Sequence, residues 1–143
     1  MLTRDPRPAT EVEVVAPRPA EAPTTKAWLQ DRINVWAALA VGVSWFVLTP
    51  LAAAFEPATD QSEPLLGTLL GISMDVLFLV TLVGLATRRR WGLVASLGGA
   101  GLFTAMVVAC PTSGHHPFGM WWFGELACAF ALIATTVVAL RRA

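Results

Sequence analysis

The residues best suited to chemistry lie close together between positions 110 and 128 of this 143-residue chain. This segment contains both cysteines, both histidines and one acidic residue, which are Cys110, His115, His116, Glu125 and Cys128. Thiolate, imidazole and carboxylate groups are ligands for zinc and copper, and an imidazole can also hold haem iron. The segment therefore predicts a zinc, copper or haem site, with Cys110, His115, His116 and Glu125 as the candidate ligands.

A purely structural role is the alternative for the same segment. Its prolines and glycines favour a turn, in which one histidine would cap Glu125 or a backbone carbonyl. Adjacent side chains of an extended loop point in opposite directions, which weakens the case for His115 and His116 as ligands of one metal ion. Both interpretations stay open.

Disulfide formation and catalysis by this segment are not expected. A bridge needs Cα atoms within about 7 Å, and Cys128 should lie about 12 Å along a helix from the interface near Cys110. Ser113 or Cys110 beside a histidine could form a nucleophile and base, but the sequence offers no third member and no oxyanion hole. We therefore do not expect an enzyme.

Asp75 is the second candidate for chemistry, because it interrupts an apolar stretch about 15 Å from its beginning. An ionised carboxylate at the centre of a membrane costs about 2.5 to 3.5 kcal/mol on insertion scales. We expect Asp75 to face the interior of the protein, protonated or paired, on a packing seam with Gly67 and Gly71 and near Ser44. Its possible roles are an interhelical hydrogen bond, a proton or cation relay, or a polar contact to a ligand.

Four apolar stretches must position these residues, at 33–55, 65–86, 91–110 and 120–140. As helices, each would be about 30 Å long, which is the thickness of the hydrocarbon layer of a membrane. They are apolar on all sides, whereas the helices of a soluble bundle keep a polar face. Short connections favour antiparallel neighbours. The sequence thus predicts an all-α, integral membrane, four-helix up-and-down bundle over residues 27–143.

Composition supports a membrane protein and argues against nucleic-acid binding. Hydrophobic residues make up 55% of the chain and charged residues 14%, and the mean hydropathy is +0.61, which is too apolar for an ordinary soluble domain. Ten basic residues balance ten acidic ones, so no net charge attracts a polyanion. Nine of the ten basic residues are arginine, a composition that indicates a GC-rich bacterial genome.

The placement of charge predicts the orientation. With the N-terminus in the cytoplasm, all ten basic residues lie on the cytoplasmic side, as the positive-inside rule requires. Residues 1–26 contain five of the ten prolines and no aromatic residue, so we expect a disordered cytoplasmic tail. The prediction is a multi-pass protein of the cytoplasmic membrane with both termini inside, and with 56–64 and 111–119 as the outer loops.

Three functions compete at this point. The absence of catalytic and nucleotide-binding motifs favours a non-enzymatic accessory or assembly subunit of a membrane complex. Its partners would be the lipid bilayer and other membrane subunits or a second copy. The alternatives are an outer-face metal- or haem-binding protein that uses Cys110, His115, His116 and Glu125, and a proton-coupled carrier of a small solute that uses Asp75.

Overall fold

Four long helices dominate the computed structural model, which describes residues 25–58, 65–112 and 118–143. They are α2 (Val35–Phe55), α3 (Leu65–Ala86), α4 (Arg90–Thr112) and α5 (Met120–Arg142), and a short helix α1 (Thr25–Gln30) precedes them. The predicted all-α, four-helix fold class is confirmed. Helix α1 was not predicted from the sequence. Its first two residues lie in the segment that was predicted to be a disordered tail. Residues 1–24 of that predicted tail lie outside the described residues.

Each long helix is long and apolar enough to cross a membrane. With 21 to 23 residues apiece, the helices reach about 30 Å, enough for the hydrocarbon layer. Large apolar side chains such as Leu66, Leu79 and Phe130 are exposed on the outside of the bundle. A lipid solvent accepts such a surface, and the helices satisfy their own backbone polar groups. The architecture is that of a multi-pass membrane protein.

The packing order of the helices differs from their order along the chain. Helix α5 packs against α2 and α4, and α4 packs against α3, but α2 and α3 touch each other only slightly. The expectation that neighbours in sequence are also packing partners therefore fails for α2 and α3. Small side chains on the buried face of α5 allow its neighbouring helices to approach closely; they are Cys128, Ala129, Thr136 and Ala139.

A buried polar network joins three of the helices. The indole N–H of Trp45 donates a hydrogen bond to the Ser96 hydroxyl (2.8 Å), which lies 2.9 Å from the Thr136 hydroxyl. All three side chains are buried. The Trp45 ring also packs on Gly99, where an added Cβ would lie 3.2 Å from it. Since buried polar groups need partners in an apolar solvent, this network fixes how α2, α4 and α5 pack together.

The closest approach of two helices lies at Gly84 and Gly92, beside the α3–α4 turn. A Cβ built on Gly84 would lie 2.2 Å from the Gly92 Cα, so only glycine allows this contact. The predicted seam at Gly67 and Gly71 is wrong for Gly71, because nothing lies within 4 Å of a Cβ built there. A glycine spacing motif shows that close packing is possible but not which glycine packs.

The segment between α1 and α2 is bound to the α3–α4 turn. The Ile33 N–H donates to the Arg88 carbonyl (2.9 Å), and the Arg90 N–H donates to the Asp31 carbonyl (3.1 Å). Arg88 has a φ of 54°, the left-handed conformation that reverses the chain here. The Arg90 guanidinium lies 5.1 Å from the centre of the Trp28 ring. We call this end of the bundle the arginine end.

Candidate functional site

A cavity of about 300 Å³ opens at the end of the bundle opposite to the arginine end, and we call it the Glu125 cavity. All four long helices contribute to its walls, including α2 and α3, which touch each other only slightly. Most of its lining is apolar or small. The polar groups in the lining are Thr49 and Glu56 from the α2 side, Cys110 from α4 and Glu125 from α5.

Glu125 is the most deeply buried acidic side chain of the described residues, at 6% exposed. Neither a hydrogen bond nor an ion pair joins its carboxyl group to any other side chain in the described parts of the chain. Glu56, which follows the last residue of α2, interacts electrostatically with Glu125. Two like charges beside an apolar cavity disfavour each other, and either a proton on one carboxyl group or a cation between the two relieves the repulsion.

Two contacts hold in place the first turns of α5, which carry Glu125. Pro111 lacks an N–H, so the Val107 carbonyl loses its usual helical donor; the Trp122 indole N–H donates to that carbonyl instead (3.0 Å). On the other side, Gly124 packs under the Phe55 ring, where an added Cβ would lie 2.7 Å from a ring carbon. The first turns of α5 are thereby bound to both α4 and α2.

The Thr49 hydroxyl is a further polar group in the wall of the cavity. Its oxygen is buried and has no hydrogen-bond partner among the described residues. A buried hydroxyl without a partner is costly in an apolar medium. It can therefore accept a hydrogen bond from a molecule in the cavity.

The structure brings together two of the four predicted metal ligands. Cys110 and Glu125 line the same cavity, whereas His115 and His116 lie outside the described residues. Within the ranges 25–58, 65–112 and 118–143, no three His, Cys, Asp or Glu side chains form a metal-binding group. Cys128 is buried close to Glu125, and no disulfide joins it to Cys110. The metal or haem site stays a prediction.

Asp75 does not face the interior, contrary to the prediction. Its side chain is exposed on the outside of the single chain. Leu77, which contacts the Gly99 position of α4, follows by two residues and so points about 160° away around the helix. The predicted neighbour Ser44 instead donates its hydroxyl to the Ala40 carbonyl (2.8 Å). No hydrogen bond or ion pair to Asp75 forms within the part of the chain that the structure describes.

Sequence reasoning missed Thr49 and Glu56 as members of the site. Glu56 stands directly after an apolar stretch, at the same end of the bundle as Glu125, and this position was the available signal.

Comparison of the chain with protein-family models, with curated proteins and with solved structures gave no significant match. Two features of the chain itself therefore carry the functional proposals, the Glu125 cavity and the exposed Asp75.

Proposed function

We propose that this chain is a non-enzymatic accessory or assembly subunit of a larger membrane complex in the cytoplasmic membrane of a bacterium, with both termini in the cytoplasm. The observation that carries the proposal is the exposed position of Asp75 halfway along α3. Four apolar helices support the membrane setting. The arginines at one end support the orientation, because basic residues stay on the cytoplasmic side.

An isolated copy of the chain would expose Asp75 to lipid. Asp75 is the eleventh of the 22 residues of α3, so it lies about 15 Å from either end of the helix. Lipid chains offer no hydrogen bond, and a carboxylate at this depth costs about 2.5 to 3.5 kcal/mol. A partner helix that donates a hydrogen bond or a positive charge to Asp75 removes this cost.

The surface around Asp75 suits a helix from another protein. Thr68, Gly71, Asp75 and Leu79 follow one another at three- and four-residue spacing on one side of α3, and we call them the Asp75 face. The small side chain of Thr68 and the open space beside Gly71 let a partner backbone approach closely. The apolar stretches contain no Lys, Arg or His at this depth. A second copy would therefore bring two aspartates together, which favours a different subunit with a basic or hydrogen-bond-donating residue.

Copurification tests the proposal. A tagged chain would be extracted from its native membrane in polymer nanodiscs, and proteins that accompany it would be identified by mass spectrometry. We expect one or more other polytopic membrane proteins to copurify with the wild type. Asp75→Asn, which keeps a polar group, should retain them, and Asp75→Leu should lose them. A lone chain, or a partner that Asp75→Leu retains fully, contradicts the proposal.

A metal or haem site is the second candidate function, because Cys110 and Glu125 share the Glu125 cavity. Elemental analysis and an optical spectrum of protein from its native membrane test this candidate. Stoichiometric zinc or copper, or a Soret band, that is lost in Glu125→Gln supports it, and protein without metal or haem contradicts it.

A carrier pathway through Asp75 would have to run between subunits, since Asp75 lies on the outside of the chain.

A further inference from the structure

We propose that the Glu125 cavity binds a primary alkylammonium ion with an apolar or aromatic substituent. This inference is independent of the proposed partner of the Asp75 face. It depends on the charge, the walls and the size of the cavity.

The charge of the ligand follows from the buried carboxyl group. Only 6% of Glu125 is exposed, and it lines the cavity without a hydrogen-bond or ion-pair partner among the described residues. A cation that enters the cavity supplies the missing opposite charge. Glu56 at the same cavity adds a second negative charge. An anion or a neutral apolar molecule would leave the buried Glu125 carboxylate without an opposite charge.

The ammonium type follows from the acceptors. A primary ammonium has three N–H donors. The cavity offers the Glu125 carboxylate, the Glu56 carboxylate and the buried Thr49 hydroxyl oxygen, which has no partner among the described residues. Each of the three ammonium N–H groups can thus donate to an oxygen of a different side chain. A quaternary ammonium would leave the Thr49 oxygen unsatisfied.

The substituent follows from the walls and the volume. A volume of about 300 Å³ is at the lower end of the range of small-molecule sites. Apolar side chains from α2, α3 and α4 form the rest of the wall, among them Leu70, Phe103 and Met106. Such a wall accepts a short alkyl or phenyl group, and the Phe103 ring attracts a nearby cation. Leu66 and Ala53 line the cavity and are also exposed, so a ligand can enter beside them.

Calorimetric titration of the full chain in phosphatidylcholine nanodiscs with 2-phenylethylammonium tests the proposal. The control ligand is 2-phenylethanol, which has the same shape without the charge. We expect binding of the ammonium and at least about tenfold weaker binding of the alcohol. Equal binding of the two ligands, or no binding of the ammonium, overturns the proposal.

Variants locate the site. Glu125→Gln should weaken ammonium binding at least about tenfold, whereas Asp31→Asn, which removes an exposed carboxylate at the arginine end, should leave it unchanged. Ala53→Phe should also weaken binding, because its larger side chain takes up space in the cavity wall and keeps both carboxylates. Unchanged affinity in both Glu125→Gln and Ala53→Phe overturns the proposal.

Two further titrations identify the source of the cation and test a metal ion instead. Nanodiscs that contain phosphatidylethanolamine offer the same primary ammonium on a lipid headgroup. If this lipid competes with 2-phenylethylammonium, the site is assigned to the headgroup. If it does not compete, the site is assigned to a soluble amine. Both results support binding of a primary ammonium. Zinc binding that Glu125→Gln removes, without binding of 2-phenylethylammonium, overturns the proposal.

Discussion

Replacement of Trp45 by phenylalanine should loosen the packing of α2 on α4 and α5. Phenylalanine keeps an aromatic ring over Gly99 but removes the indole N–H that donates to the Ser96 hydroxyl at 2.8 Å. Ser96 keeps its contact with Thr136 at 2.9 Å. The substitution therefore removes one interhelical hydrogen bond and leaves the rest of the network in place.

The magnitude follows from the setting of this bond. Interhelical hydrogen bonds in membrane proteins contribute about 0.6 kcal/mol on average and up to about 1.7 kcal/mol. Trp45 is 1% exposed, so the smaller ring also leaves a small void, which adds to the cost. We expect a loss of about 1 to 3 kcal/mol in the free energy of unfolding, of which about 1 kcal/mol is coupling to Ser96.

Unfolding in mixed micelles, followed by circular dichroism, measures the effect. A double-mutant cycle with Trp45→Phe and Ser96→Ala isolates the coupling. Trp36→Phe is the matched control, because Trp36 is 74% exposed, and it should change stability by less than about 0.5 kcal/mol. A coupling near zero, or an equal loss in the control, refutes the proposed role of the network.

Three further outcomes are expected. Gly84→Val should destabilise the chain by more than about 2 kcal/mol, because its Cβ would overlap the backbone of α4. Gly101→Val, which has open space around it, should be tolerated. Equal unfolding midpoints of the two variants would contradict the described packing. Trp122→Phe should cost about 1 to 3 kcal/mol in the same unfolding assay, because the Val107 carbonyl loses its donor; an unchanged midpoint would show that the donor is dispensable. Asp75→Leu should improve the membrane insertion of α3 in a glycosylation reporter by about 3 to 4 kcal/mol, the cost of Asp plus the gain from Leu. No improvement would mean that Asp75 is already compensated within the chain.

The lengths of the apolar stretches were sufficient to predict four helices. They do not reveal which face of a helix packs, because a helix in lipid is apolar on all sides. The partnership of α2 with α5 and the contact between Gly84 and Gly92 were therefore not predictable. The same ambiguity explains the error at Asp75. The rule that polar side chains face inward assumes that a single chain buries all of its intramembrane polar groups without help from a partner protein.

The candidate site was predictable only in part. Cys110 and Glu125 lie at facing ends of consecutive apolar stretches, so their shared cavity follows from chain order. Glu56 and Thr49 come from the α2 side, the part of the four-helix domain farthest from α5 in sequence, and their place in the cavity depends on the α2–α5 packing. Small residues that allow such packing also occur on faces that do not pack, as at Gly71.

The proposed function requires that a helix of another protein covers the Asp75 face. A photo-crosslinking amino acid at Leu79, which is exposed on α3 one turn from Asp75, tests this requirement in intact cells. Phe130, exposed on α5, is the control position. We expect a crosslink to a different membrane protein from position 79 that is absent from position 130 and is lost in Asp75→Leu. Crosslinks to lipid alone from position 79, or the same product with and without Asp75, would contradict it.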